Sequence, residues 1–239
     1  MIDLVALDAD DTLWHNEPHY TTTREQFHRL LARYEPGGDF DDRLYEVELR
    51  NLQHFGYGVK GFTLSMIETA IDITAGRLES QDVRTIIGWG HDMLRSPVEL
   101  LEGVREAVEE LASSVPLILL TKGDLLHQET KLARSGLGSH FKGIEVVSEK
   151  DAQVYRHVMT RYAVTPERFV MVGNSLRSDI LPVLEAGAHA VYVPYQISWV
   201  HERISGDAMD GLAHAARYHH VAHIRELPAL LRRVGNGPD

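Results

Sequence analysis

The chain has 239 residues, 44% of them hydrophobic, which suits one large domain, or a domain carrying an insertion, around an ample core. Its formal net charge of -11 argues against a nucleic-acid partner bound through its phosphate backbone, while leaving room for a small phosphorylated ligand in a local basic pocket. It contains no cysteine, which excludes disulfides, thiolate nucleophiles and Cys-ligated metals.

The chain begins "MIDLVALDADDTLW". It has no basic leader region, and its apolar run is too short for a signal peptide or a membrane span. A soluble cytoplasmic protein with no membrane partner is expected. "IDLVALD" (2–8) reads as a buried strand, and it ends in three acids, Asp8, Asp10 and Asp11. Ionised carboxylates this close repel one another, and burial raises the cost. A fold tolerates that where a cation or a reaction uses the acids. Asp11 is expected to be a structural turn residue.

Residues 15–97 show no convincing strand and read as an all-helical insertion. Phe27, Leu30, Leu31 and Tyr34 form one helical stripe, and Tyr45, Leu49 and Leu52 a second. "FGYGVKG" (55–61) reads as a loop, and "SMIE" (65–68) as a capping box opening a helix with Leu64, Ile67 and Ile71 inward. Val83, Ile86 and Ile87 continue the pattern as far as Pro97. Trp14 and Trp89 are expected to pack.

From residue 98 strands and helices alternate. "VPLILLT" (115–121), "GIEVVS" (143–148), "RFVMVG" (168–173) and "AVYVP" (190–194) are mostly continuous apolar runs, the pattern of parallel strands covered on both faces; "HHVAHI" is a weaker sixth. Helices are expected over Leu101–Leu111, after Lys150, and from about Ser178 to Ala186. The terminal "GNGPD" looks disordered. The fold class is α/β, a doubly wound parallel sheet, with residues 1–14 and 98–239 as the core. The 14 histidines show no metal-ligand spacing and read as surface or structural residues.

In such a sheet, ligands bind beyond the carboxyl ends of the strands. Asp8 and Asp10 follow the first strand, and their spacing of two can point both side chains one way, with Cα atoms roughly 6–7 Å apart. The second strand ends in Thr121 and Lys122, the third is followed by Lys150, and the fourth by Asn174, Ser175 and Asp179. Acids, a hydroxyl, ammonium groups and amides gathered there suit a divalent metal and a phosphoryl group. A carboxylate can attack phosphorus, and a second acid can protonate the leaving alcohol and then activate water. Thr and Lys can hold the non-bridging oxygens.

Four motifs, "LVALDADDTLW", "PLILLTK", Lys150 before a helix, and "VMVGNSLRSDI", together resemble the haloacid dehalogenase superfamily in its phosphatase branch. The resemblance spans the whole core. It implies a Rossmann-like fold, a helical cap between the first two motifs, Mg²⁺, Asp8 as nucleophile and Asp10 as general acid and base. Dehalogenases of the superfamily lack the second acid, so Asp10 favours phosphate chemistry. It also implies metal contacts from Asp8, from Asp10 through its carbonyl, and from the fourth motif. There, many members carry Gly-Asp, whereas this chain has Asn174; its ligand is Asn174 or Asp179. Thr121, Lys122 and Lys150 are the expected phosphate-binding groups.

The expected activity is Mg²⁺-dependent hydrolysis of a small phosphorylated metabolite by a monomer or homodimer. A phosphomutase of the same fold is an alternative. So is a non-catalytic phospho-ligand-binding or phosphoacceptor protein.

Overall fold

The structure, a computed structural model, describes residues 1–196, 212 and 215–236. It divides into two compact units. One comprises residues 1–17, 98–122 and 128–239, the other residues 18–97 and 123–127.

The first unit is built on a six-stranded, wholly parallel sheet: β1 Leu4–Leu7, β2 Leu117–Lys122, β3 Phe141–Val147, β4 Phe169–Gly173, β5 His189–Tyr192 and β6 Tyr218–His220. The strand order is β3-β2-β1-β4-β5-β6. The first five expected strands lie where their apolar runs placed them; of the weak sixth run only His219 and His220 are in β6, and its last residue, Ile224, opens a 3-10 turn. The runs are continuous because both faces are covered. Val5, Leu7, Leu117, Leu119, Val170 and Val172 point into a layer with α5 (Val104–Ala112) and α9 (Leu227–Asn236). Leu4, Ala6, Ile118, Leu120, Phe169 and Met171 point the other way, toward α7 (Ala152–Arg161) and α8 (Leu181–Glu185). Each such side chain is worth roughly 1.5–3 kcal/mol when fully buried, so the two layers fix which residue of β1 is last inside the sheet. The order turns outward in both directions from β1, whose neighbours are β2 and β4. This is the switch point at which an open α/β sheet has its crevice. Of the terminal segment expected to be disordered, Gly235 and Asn236 close α9; residues 237–239 lie outside those described.

The second unit is helical: α1 Glu17–Leu31 (its first residue in the sheet unit), α2 Asp41–Phe55, α3 Val59–Ile73 and α4 Ser80–Arg95. Phe27, Leu30 and Leu31 are buried as expected. Four other readings are corrected. On α2 the buried face is Leu44, Val47, Glu48 and Asn51, one residue out of step with the expected Tyr45–Leu49–Leu52 stripe. On α3 it is Val59, Phe62, Met66, Ala70 and Ile73, while Leu64 and Ile71 are exposed. On α4, Ile86 is inside and Ile87 outside. The capping box does not exist, because Ser65 lies inside α3. Its hydroxyl donates to the Gly61 carbonyl and accepts from Asn51. The helix starts early because Gly58 turns the chain at φ 118° and Gly61 packs against the preceding loop. A Cβ there would come 2.9 Å from the Gly56 carbonyl. Polar side chains that bond inside this unit, such as Asn51 to Glu68 and Asp82 to Arg33 and Tyr34, blur the hydrophobic period.

No helix among the described residues is long and apolar enough to cross a membrane.

Candidate active site

β1 ends at Leu7, and the Asp8 amide still donates to the Val172 carbonyl of β4 at 2.9 Å. The sheet therefore carries Asp8 to its carboxyl edge. Lys150 stands beyond β3, just before α7. That helix is capped by Asp151, whose carboxylate accepts from the Val154 amide at 2.8 Å. The buried Lys150 ammonium bridges two acids, donating to Asp8 Oδ1 and to Asp179 Oδ1, each at 2.6 Å. Burial opposes its charge. The Asp179 and Asp8 carboxylates outweigh that and hold its pKa above the ordinary range.

Asp179 lies in a π-helical turn, Leu176–Ile180, between β4 and α8. It has no exposed surface. Its Oδ2 accepts from the Ser175 amide at 3.0 Å, and its Oδ1 takes Lys150. Gly173 makes room for it, since a Cβ there would meet Asp179 Oδ2 at 2.1 Å. Burial, with Asp8 close by, raises its pKa. Expected, as the alternative to Asn174, to be a metal ligand, Asp179 has one protein donor on each oxygen and serves as an anchor of Lys150.

Asn174 fills the nearer place. Its amide end lies 3.3 Å from Asp8 Oδ2, 3.3 Å from the Asp10 carbonyl and 3.1 Å from Thr12 Oγ1. With the amide nitrogen turned toward these acceptors, Asn174 donates to all three. With its oxygen there, that oxygen stands 3.3 Å from an Asp8 carboxylate oxygen and 3.3 Å from the Asp10 carbonyl oxygen. Cis ligands of an octahedral Mg²⁺ at 2.0–2.1 Å stand about 3 Å apart, so this spacing fits such an ion. The charge fits as well, because Asp8 and Asp179 share one ammonium. No cluster of three or more His, Asp or Glu side chains with metal-site geometry occurs among the described residues. The donor set here depends instead on one carboxylate, one carbonyl and one amide.

The other expected residues divide. The Thr121 hydroxyl is buried at the end of β2 and donates to the Lys122 carbonyl at 3.2 Å. Lys122 Nζ donates to Ser178 Oγ at 2.9 Å and lies 3.6 Å from Glu149. It thus belongs with the fourth-motif turn rather than facing open solvent. Asp11 adopts φ 61° and accepts from the amides of Asn16 and Glu17, closing the turn that starts α1. Burial pushes its pKa up to about 7.

Asp10 departs most from expectation. Its carboxylate accepts from Trp14 Nε1 at 2.7 Å and Lys131 Nζ at 2.5 Å on Oδ1, and from Gln128 Nε2 at 2.9 Å on Oδ2. Burial raises its pKa, but Lys131, Gln128 and Trp14 more than offset this and hold it below the usual range. Gln128 and Lys131 lie on α6 (Leu125–Ser135), a helix with no apolar signature, because its buried positions are Gln128, Lys131 and Ser135. Sequence reasoning missed both. The one available signal was the spacing of three between two polar residues that end a helical face. Trp14, expected only to pack, also donates to Asp10.

The haloacid dehalogenase-like hydrolase family model matches residues 2–187. The chain belongs to that family. A solved haloacid dehalogenase-like hydrolase from Xanthomonas campestris is 45% identical, with a TM-score of 0.86 over 98% of this chain and 91% of that one. N-acylneuraminate-9-phosphatase of Rattus norvegicus is 32% identical over 141 residues, 56% of this chain and 53% of the relative. Phosphoserine phosphatase of Thermus thermophilus is 32% identical over 82 residues, 32% of this chain and 33% of the relative. The chain thus matches about half the length, or less, of these curated relatives. A 2-haloacid dehalogenase from Pseudomonas syringae shares the fold, with a TM-score of 0.63 over 98% of this chain and 99% of that one, at 21% identity.

Proposed function

We propose that this member of the family is a Mg²⁺-dependent phosphomonoester hydrolase acting on a small phosphorylated metabolite. The observation that carries this reading is the setting of Asp8. Asp8 directly follows the central strand; one carboxylate oxygen is held by Lys150, and the other accepts from the Thr12 hydroxyl at 2.9 Å and lies 3.3 Å from the Asn174 amide end. The phosphatase names of the curated relatives support the ester class.

An Asp8 oxygen attacks phosphorus, forming an O–P bond as the ester P–O bond breaks. Asp10, taking up a proton as the anionic phosphate arrives beside it, gives that proton to the leaving oxygen. Water then attacks the aspartyl-phosphate and gives a proton back to Asp10. The Asp8–phosphorus bond breaks, and phosphate departs. Lys150 fixes the attacking carboxylate and neutralises part of its charge, while Asp179 fixes Lys150. The Thr121 hydroxyl and Lys122 ammonium would hold phosphoryl oxygens, exchanging their present partners. Asp8, the Asp10 carbonyl and Asn174 would hold Mg²⁺, which when bound offsets the repulsion between carboxylate and phosphate. The helical unit is the family's cap in this reading, and selects the substrate.

Phosphate release over a panel of metabolite esters, with Mg²⁺ and with chelator, tests the reading. Wild type should release phosphate with Mg²⁺ and not with chelator, and Asp8→Asn should release none while melting as a folded protein. An Asp8→Asn variant that keeps most of its activity sinks the assignment. Internal transfer of the phosphoryl group without release would make the protein a mutase.

A further inference from the structure

The cage around Asp10 is costly in a way packing does not explain. α6 turns Gln128, Lys131 and Ser135 inward beside Leu132, which packs against the core, and leaves Leu125 and Leu126 exposed. The Lys131 side chain is 11% exposed, so a long flexible cation is immobilised out of water. Gln128 donates both to Asp10 and to the Lys122 carbonyl, while its own Oε1 is buried with no partner among the described residues. Leaving that acceptor without a partner destabilises the fold. Both nitrogen contacts are kept at that cost.

A carboxylate offers two acceptor positions on each oxygen. On Asp10, Lys131 and Trp14 fill both positions of Oδ1, and Gln128 fills one on Oδ2. One position, on Oδ2, is left for exchanging a proton. We propose that Lys131, assisted by Gln128, is the positioning residue for Asp10 and selects Oδ2 as its working oxygen. This rests on the phosphatase reading above. The proton given to the leaving oxygen departs from Oδ2, and the proton taken from water returns there. Lys131 donates throughout and transfers nothing.

The test compares kcat/KM, which reports phosphoryl transfer to Asp8, for two esters. An alkyl phosphate needs its leaving oxygen protonated; 4-nitrophenyl phosphate does not. Lys131→Met should lose about 10²-fold on the alkyl ester, the scale of a misplaced catalytic group, and much less on the nitrophenyl ester. Lys131→Arg should recover most of the loss. In an Asp10→Asn background, Lys131→Met should cost nothing further, because it acts through Asp10. Should Lys131→Met fail to fold, Gln128→Leu and Lys131→Arg carry the comparison, Gln128→Leu showing the same leaving-group pattern at smaller size. Equal losses on both esters, unchanged or raised kcat/KM, or additive losses in the double variant overturn the proposal while the phosphatase reading stands. A wild type inert on every ester overturns both.

Discussion

Asp8 and Asp10 stand two residues apart, yet the chain gives them opposite surroundings. Asp8 shares one ammonium, Lys150, with a second buried acid, Asp179. Asp10 accepts from an ammonium, an indole and an amide, none of which it shares with a second acid. The first arrangement is short of positive charge and holds an oxygen cluster ready for a cation. The second is locally neutral and saturated but for one acceptor position. Two like residues on one loop are thereby prepared for different work. In the proposed mechanism one bonds to phosphorus beside a metal, and the other exchanges a proton at a fixed point. The difference comes from what β3 and β4 bring to the first acid and what α6 brings to the second.

The comparison breaks most visibly at the two lysines. Removing Lys150 leaves Asp8 and Asp179 buried without their counter-ion, and breaking a buried pair in this way costs about 3–5 kcal/mol. For a domain of this size that lowers Tm by on the order of 10 °C. Lys150→Met should show this loss in a thermal melt and should abolish turnover. The double variant Lys150→Met with Asp179→Asn should recover part of the stability and none of the activity. Lys131→Met should cost less stability than Lys150→Met, because Trp14 and Gln128 still serve Asp10. If Lys131→Met melts as low as Lys150→Met, the two acids do not differ as described.

A smaller effect sharpens the account of Asn174. Asn174→Asp adds a carboxylate to a cluster already short of positive charge. Without metal the variant should melt below wild type. Mg²⁺ prefers anionic oxygen to an amide, so the variant should bind it more tightly and gain more Tm on saturation, by mass action on the folded state. Melting temperature followed through a Mg²⁺ titration measures both. Curves with one midpoint and one amplitude would mean that Asn174 does not face the ion.

How much of this was legible in the sequence follows from what each residue had to bury. The sheet was legible because Leu4–Leu7, Leu117–Leu120 and Phe169–Val172 are covered on both faces and leave unbroken apolar runs. Asp8, Lys150 and Asn174 were legible because they follow such runs. Asp179 was seen but expected at the metal; only the three-dimensional path of the π-helical turn aims it at Lys150. Gln128 and Lys131 were invisible because their burial is paid in hydrogen bonds to Asp10, and hydrophobic periodicity cannot register a polar face turned inward. The stripes of α2 and α3 slipped for a related reason. Asn51, Glu48 and Ser65 are inside, while Leu64 and Ile71 are outside.

The smallest effect concerns a region that neither acid touches. His189 on β5 and His219 on β6 stack with ring centroids 5.5 Å apart, and Nδ1 of the first lies 3.3 Å from Nε2 of the second. Burial lowers the pKa of both, and for His189 the charges of His219 and Arg217 lower it further. An unfolded histidine takes up its proton near pH 6.5, whereas these remain neutral in the folded chain to lower pH. Between those points the unfolded state binds more protons, so stability is full above about pH 6.5 and falls as the pH drops below it. Asp11 works in the opposite direction. Raised to about 7 by burial, it favours the folded state as the pH falls through that value. The wild-type slope therefore mixes two signs, and the informative quantity is the difference between proteins. His189→Gln removes one of the two titrating rings. Its Tm relative to wild type should be higher at pH 5.5 than at pH 7.5, with no change in phosphate release at the higher pH. A difference that is flat across this range would show that the two rings titrate as ordinary surface histidines, and that the acid sensitivity of the fold lies wholly with its carboxylates.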